Sequence, residues 1–131
     1  MASCMTTLIG YVSIQMQFIE AAPFARHRHR YLTDEEFDDL KAHLAQYPDA
    51  GDPIPGAGGM RKLRWANSQR GKGKRSGSRT IYLHVSLATT VHLMVIYDHE
   101  KQDDLSAADR KELALYAREL KALAQKGKGT P

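Results

Sequence analysis

The chain reads as an α+β domain in which a small, mostly antiparallel sheet is packed by helices that precede it and by one that follows it. Three observations predict this. Capping signals at Thr33 to Glu36 and at Ser106 to Asp109 each stand before apolar residues at helical spacing. Two runs rich in Ile, Leu, Val and Tyr, Thr80 to Leu87 and Val91 to Tyr97, flank the short connection Ala88, Thr89, Thr90, as the arms of a hairpin do. A length of 131 residues with no evident repeat suits one domain that buries its core without staples.

Met1 to Gln15 has little charge and no clear period, so it is treated as a dispensable N-terminal extension, with the domain itself expected over residues 16–125. Met16 opens a strand pattern, MQFIEA. Pro23 suits the first turn of a short helix running toward Arg30, since its fixed φ is already helical and no N–H is needed there. Arg26, His27, Arg28, His29 and Arg30 would ring that helix with charge, read first as a solvated or partner-docking face and second as a phosphate contact. Thr33 and Glu36 form a capping box, and Phe37, Leu40, Leu44 and Tyr47 follow as one apolar stripe that Pro48 and Gly51 end. The Pro- and Gly-dense linker after Tyr47 is expected to be an ordered, turn-rich connection anchored by Ile54.

From Arg61 the residues alternate, which in a strand sends Leu63 and Trp65 to one face and Lys62 and Arg64 to the other. In the two hairpin strands Ile81, Leu83 and Val85 share the parity of Arg79, and Val91, Leu93 and Val95 share that of Tyr97. If both apolar sets face the core, bends at the strand ends must release Arg79 and Tyr97 outward. Ser106 and Asp109 cap a last helix whose buried stripe is expected to be Leu113, Tyr116, Ala117, Leu120 and Leu123, with residues 126–131 a flexible tail. The helices would cover one side of the sheet and leave the other to Lys62, Arg64 and their neighbours.

Charge is the strongest functional signal. The stretch Gly59 to Arg79 holds eight Lys or Arg and no acid, whereas the rest of the chain carries all 15 Asp and Glu and is net acidic, so the overall +4 is a local feature. A concentrated positive field suggests a polyanionic partner, RNA or DNA above all. Within it, Gly71, Gly73 and Gly77 alternate with Lys72, Lys74 and Arg75 in a loop whose backbone can approach a ligand closely. It lacks the spacing of a nucleotide-hydrolase phosphate loop. No Cys pair or His-Glu helix motif suggests a metal, and no cofactor is expected. The single Cys4 and the absence of an apolar span or a basic leader point to a cytoplasmic protein without membrane attachment.

Cutting RNA without metal requires a base near the 2′-OH, positive charge at the five-coordinate phosphate, and an acid for the leaving 5′ oxygen. Arg79, with its planar fork of donors, is the first candidate to hold the phosphate and Arg64 the second. Lys62, crowded by cations that favour its neutral amine, is the candidate base. His99 is a candidate acid or base, and Tyr97 a candidate to stack on a nucleobase or order the phosphate. His84 and His92, inside apolar strands, are read as packed.

The element order together with GGMRKLRWA, RGKGKRSGSRTIYLHV and IYDHEKQDDLSAADRKEL resembles the HigB-like branch of the RelE/ParE superfamily of type II toxin–antitoxin toxins, over Met16 to Leu123. The resemblance implies a RelE-like fold and a ribosome-dependent mRNA endonuclease that enters the 30S A site and is silenced by a cognate antitoxin. It implies catalytic roles for Lys62 and Arg64 and for Arg79 at its strand start, with Arg61, Arg70, Lys72, Lys74 and Arg75 contacting RNA. The branch has a Lys where this chain has His99, and RelE-type enzymes a basic residue near Glu100, so the acid and base are not carried over. A ParE-like poison of DNA gyrase on the same fold, or a non-catalytic nucleic-acid-binding module, are the competing expectations.

Overall fold

The structure is a computed structural model that describes residues 16–65, 77–98 and 105–129, with side chains through Lys126. The extension over 1–15 lies outside the described residues. Strand β1 (Gln17–Glu20) leads into helices α1 (Ala22–Tyr31) and α2 (Asp34–Gln46). A two-residue strand β2 (Asp52–Pro53) and strands β3 (Arg61–Trp65), β4 (Ser78–Val85) and β5 (Thr90–Asp98) follow, then helix α3 (Ala107–Gly129). The sheet order is β1-β5-β4-β3-β2, antiparallel except where β1 runs parallel to β5.

Local chemistry sets the helix starts. Pro23 sits in the first turn of α1. Thr33 Oγ1 accepts from the Glu36 N–H at 3.1 Å, and Glu36 Oε1 accepts from the Thr33 N–H at 2.9 Å, so the capping box closes in both directions. Ser106 and Asp109 close the same reciprocal pair ahead of α3, at 3.0 and 3.3 Å. That helix runs through Gly129, past the Lys126 boundary expected for a tail.

Helices cover both faces of the sheet rather than one. On β4, Tyr82 enters a core with Phe24, Tyr31, Phe37, Leu40 and Leu44 of α1 and α2. Its neighbours Ile81, Leu83 and Val85 enter a second core with Leu113 and Ala117 of α3 and with Ala57 and Met60 of the linker. A strand buried on both faces reads as a continuous apolar run, which is why the periodicity of TIYLHV did not reveal two layers. The second layer is close-packed: Gly58 has φ +70°, and a Cβ there would lie 3.0 Å from both Ala114 Cα and Ala117 Cβ. Lys121 Nζ adds a 2.8 Å hydrogen bond to the Gly58 carbonyl. Ile54 packs against this layer, as its anchoring role required.

The β4–β5 register shifts by one residue: Ile81 faces Val95 but Tyr82 faces Leu93, leaving Met94 as a bulge. Val91 and Leu93 therefore serve the α1/α2 core while Val95 and Tyr97 serve the α3 side, so the four do not share one face. Arg79 and Tyr97 are not released outward either; each is 6% exposed. Three stripe residues differ from expectation. Tyr47 ends α2 with non-helical backbone and is exposed, while Tyr116 and Leu123 lie 50% and 64% exposed on the outer face of α3, which the sheet does not reach.

Tyr82 ties the linker to the sheet. Its hydroxyl donates to the Pro48 carbonyl at 2.8 Å and accepts from the Gly51 N–H at 2.9 Å. Burial pushes its ionisation above the ordinary value of 10.0, against the lowering effect of the Gly51 bond. Gly51 has no room for a side chain, since a Cβ would come within 2.9 Å of the Lys62 carbonyl oxygen. Tyr82→Phe leaves both backbone groups unpartnered, and urea unfolding is expected to show a loss of about 1–3 kcal/mol with an unchanged slope.

His92 stands between Ile19 of β1 and Leu83 of β4, and burial holds its pKa below the ordinary 6.5. The unfolded chain thus takes up this proton at higher pH than the folded one, so its contribution to stability is lost as pH falls below about 6.5. Replacing it in His92→Gln should flatten the fall of the melting temperature below that pH by the histidine's share; an unaltered profile would exclude His92 as a source of acid sensitivity.

Candidate nucleic-acid interface

Strand pairing, not spacing along the chain, assembles the basic site. Arg64 faces Arg79 across β3–β4, and Arg79 faces Tyr97 across β4–β5, so the three form one row on the α3 side of the sheet. Direct cross-strand partners have Cβ atoms about 4.5–5.5 Å apart. Two residue pairs along, Lys62 faces Ile81 on the same side. Leu63 and Trp65 turn the other way into the α1/α2 core, as their alternation required.

The members of the row differ in access. Arg64 is exposed and Lys62 half-buried, whereas Arg79 lies behind them, its Nη1 donating to the Gly77 carbonyl at 3.2 Å. Burial thus moves the first contact with an incoming phosphate from Arg79 to Arg64. Two guanidinium-bearing residues directly opposite each other repel, and an anion between them relieves that cost.

Other basic residues are used by the fold. Arg61 is on the opposite face from Lys62, where Nη1 donates to the Gly51 carbonyl at 2.7 Å and Nε lies 3.7 Å from Asp49 Oδ1. It staples the linker rather than joining the row. Arg28 bridges α1 to α2, with Nη1 2.9 Å from Asp34 Oδ1 and 3.2 Å from the Leu32 carbonyl, and its guanidinium 4.7 Å from the centre of the Phe37 ring. Arg28 thus serves the packing of α1 on α2, a use that neither the solvated-face nor the phosphate-contact reading of the cluster gave it. His84 Nδ1 is 4.0 Å from the same Asp49 carboxylate. Arg70, Lys72, Lys74, Arg75 and His99 lie outside the described residues.

Beside Lys62 the structure opens a cleft of about 260 Å³, bounded by Asp52, Pro53, Pro55, Leu105 and Arg110. Sequence reasoning missed Asp52 and Arg110. Nothing in spacing links them; they meet because Asp52 is the cross-strand partner of Lys62 and because Leu105 and Arg110, before and in the first turn of α3, line the same cleft. Among the described residues no three His, Cys, Asp or Glu side chains gather as a metal site, and no helix is long and apolar enough to cross a membrane.

No family model matches the sequence. Among solved structures, the chain is similar to a mutant of the E. coli toxin RelE in the free state, with TM-score 0.51 and 13% identity over 79% of this chain and 97% of that one. The likeness establishes a RelE-like fold, as the element order and motifs led one to expect. On that fold, the pairing Arg64–Arg79–Tyr97 with Lys62 alongside defines a basic strand face.

The burial contrast has a direct consequence. Arg79→Ala empties a buried position and should cost about 1–3 kcal/mol, while Arg64→Ala should stay within about 0.5 kcal/mol of the parent by thermal melting. Equal losses would mean that the two side chains are equally buried in solution.

Proposed function

We propose that this chain is the toxin of a type II toxin–antitoxin pair, of the HigB-like branch, and that it arrests translation by cutting mRNA in the 30S A site. The observation that carries the reading is the cross-strand row of Arg64, Arg79 and Tyr97 with Lys62 two pairs along on the same side, on a fold shared with a toxin. In this reaction a ribose 2′ oxygen attacks the adjacent phosphorus in line, the 5′ oxygen departs, and a 2′,3′-cyclic phosphate and a 5′-hydroxyl result. Arg64 binds a non-bridging oxygen first, and Arg79 behind it adds charge as the phosphate becomes five-coordinate. Lys62 takes the 2′ proton, and Tyr97 supports the guanidinium row from the neighbouring strand.

His99 remains the candidate that returns a proton to the 5′ oxygen, and Arg70, Lys72, Lys74 and Arg75 the loop that follows the RNA backbone. The cognate antitoxin and the ribosome are the partners in this reading, and the cytoplasm is its setting. The remainder of the chain is net acidic, so the positive charge that would attract phosphate is concentrated in the Gly59 to Arg79 stretch.

Primer extension on a reporter mRNA in a reconstituted translation system, with and without ribosomes, tests the reading. Cuts are expected only with ribosomes. They should weaken by about two to three orders of magnitude in Arg64→Ala, the size of losing one donor to the transition state. Growth arrest without any cut would instead direct attention to gyrase supercoiling, the mode of action of a ParE-like toxin.

A further inference from the structure

The large apolar side chains exposed on this protein are gathered rather than scattered. Of the six among the described residues, only Tyr47 stands apart. Leu115, Tyr116 and Leu123 are on α3, Leu87 is in the 3-10 turn Ser86–Ala88 that α3 packs against, and Ile19 is on edge strand β1. At 3.6 residues per turn Tyr116 and Leu123 share one flank of α3, while Ala114 and Lys121 hold the other against Gly58 of the linker. The linker leads into β3, so the Tyr116 flank is turned toward β5 and β1 in the sheet order. There Phe18 packs into the α1/α2 core, which sends Ile19 to the α3 side beside its register partner His92. A hollow of about 400 Å³ continues over Ala122 and Leu123, and the charges of Glu119 and Lys126 in its lining cancel, so it selects neither an acidic nor a basic occupant.

We propose that residues 1–15 of the same chain are the occupant of this flank, so that the N-terminal extension is a strap over α3 rather than a dispensable leader. The place where the extension joins the fold supports this. The Gln17 N–H donates to the Thr89 carbonyl at 3.0 Å, so the chain enters β1 directly beside the turn Ser86–Ala88. Lys121 and Gln125 line a cleft with Ser86 and Leu87, which puts the C-terminal half of α3 at that same end of the sheet. Length is sufficient: fifteen residues reach about 50 Å when extended, whereas Tyr116 to Leu123 spans about 10 Å of helix. Composition fits as well. Residues 1–15 contain no Asp, Glu, Lys, Arg or His, and Leu8, Ile9, Tyr11, Val12 and Ile14 crowd the half nearest β1. A neutral apolar segment tethered at the rim of a neutral apolar patch is held there at high effective concentration, and contact removes apolar surface of both from water. The row of Arg64, Arg79 and Tyr97 lies at the other end of the strands, so the strap leaves it open and the proposal stands apart from the RNA-cutting reading.

Cys4, the single cysteine, provides the test, because a nitroxide spin label can be attached there in the full chain without a substitution. Paramagnetic broadening of NMR signals is expected at the amides of Tyr116, Leu123 and Ile19 and not at Tyr47. In a mixture of spin-labelled chain with isotope-labelled Cys4→Ser chain, the same amides should stay sharp, since the contact is made within one molecule. Leu123→Lys and Tyr116→Ser, at exposed positions, should each abolish the broadening and speed amide exchange over residues 8–14 by at least about tenfold, while melting like the parent. Absence of broadening on α3, or broadening that survives both substitutions, overturns the strap. Broadening in the mixture overturns it too, and makes a second copy of the chain the occupant.

Discussion

The arrangement of the site depends on one extra residue in β5. Met94 has no partner in β4, so the strand changes parity between Leu93 and Val95. Before the bulge, Val91 and Leu93 fill the core under α1 and α2; after it, Val95 and Tyr97 turn to the side of α3. Without the shift Tyr97 would point into the first core, and the residue opposite Arg79 would be Ile96. A side-chain period of two means that a single insertion moves every later residue to the other face. The bulge thus lets one strand complete two cores and still place an aromatic beside the arginine row.

A sheet covered on both faces leaves little room for charge, and the cations are sorted accordingly. Arg28 and Arg61 spend their donors on carbonyls and carboxylates that join helix to helix and linker to strand. Arg79 is taken into the sheet beneath the strand ends, whereas Arg64 on the neighbouring strand reaches solvent. The contact between the linker and α3 uses small residues, Gly58 against Ala114 and Ala117, so backbone meets backbone closely. This seats the start of α3, with Leu105 and Arg110, at the end of the sheet that carries Lys62. Core packing and site geometry are therefore one problem, since the loop that closes the second core also forms a wall of the cleft.

Local chemistry was legible in the sequence wherever the physics is local. Both helix caps, Pro23 at the start of α1, the hairpin and the opposite facing of Lys62 and Arg64 from Leu63 and Trp65 follow from interactions within a few residues. The RelE-like fold followed from the order of these elements together with the motif resemblance. The concentration of charge over Gly59 to Arg79 was also visible, because net charge sums over neighbours and requires no contact map.

Tertiary structure alone decided the rest. Whether an arginine serves the fold or faces a ligand depends on which carbonyl lies across the sheet, and Arg61 beside Lys62 shows that adjacent cations can have opposite fates. The parity of β5 turned on a bulge that no residue type announces. Tyr116 and Leu123 carried the right spacing for burial but lie on an arc of α3 that the sheet does not reach. Asp52 and Arg110 meet only when β2 pairs with β3 and α3 folds over them. In each case the deciding contact lies between residues distant along the chain, and pairing at such separations is set by packing that propensity and periodicity do not encode.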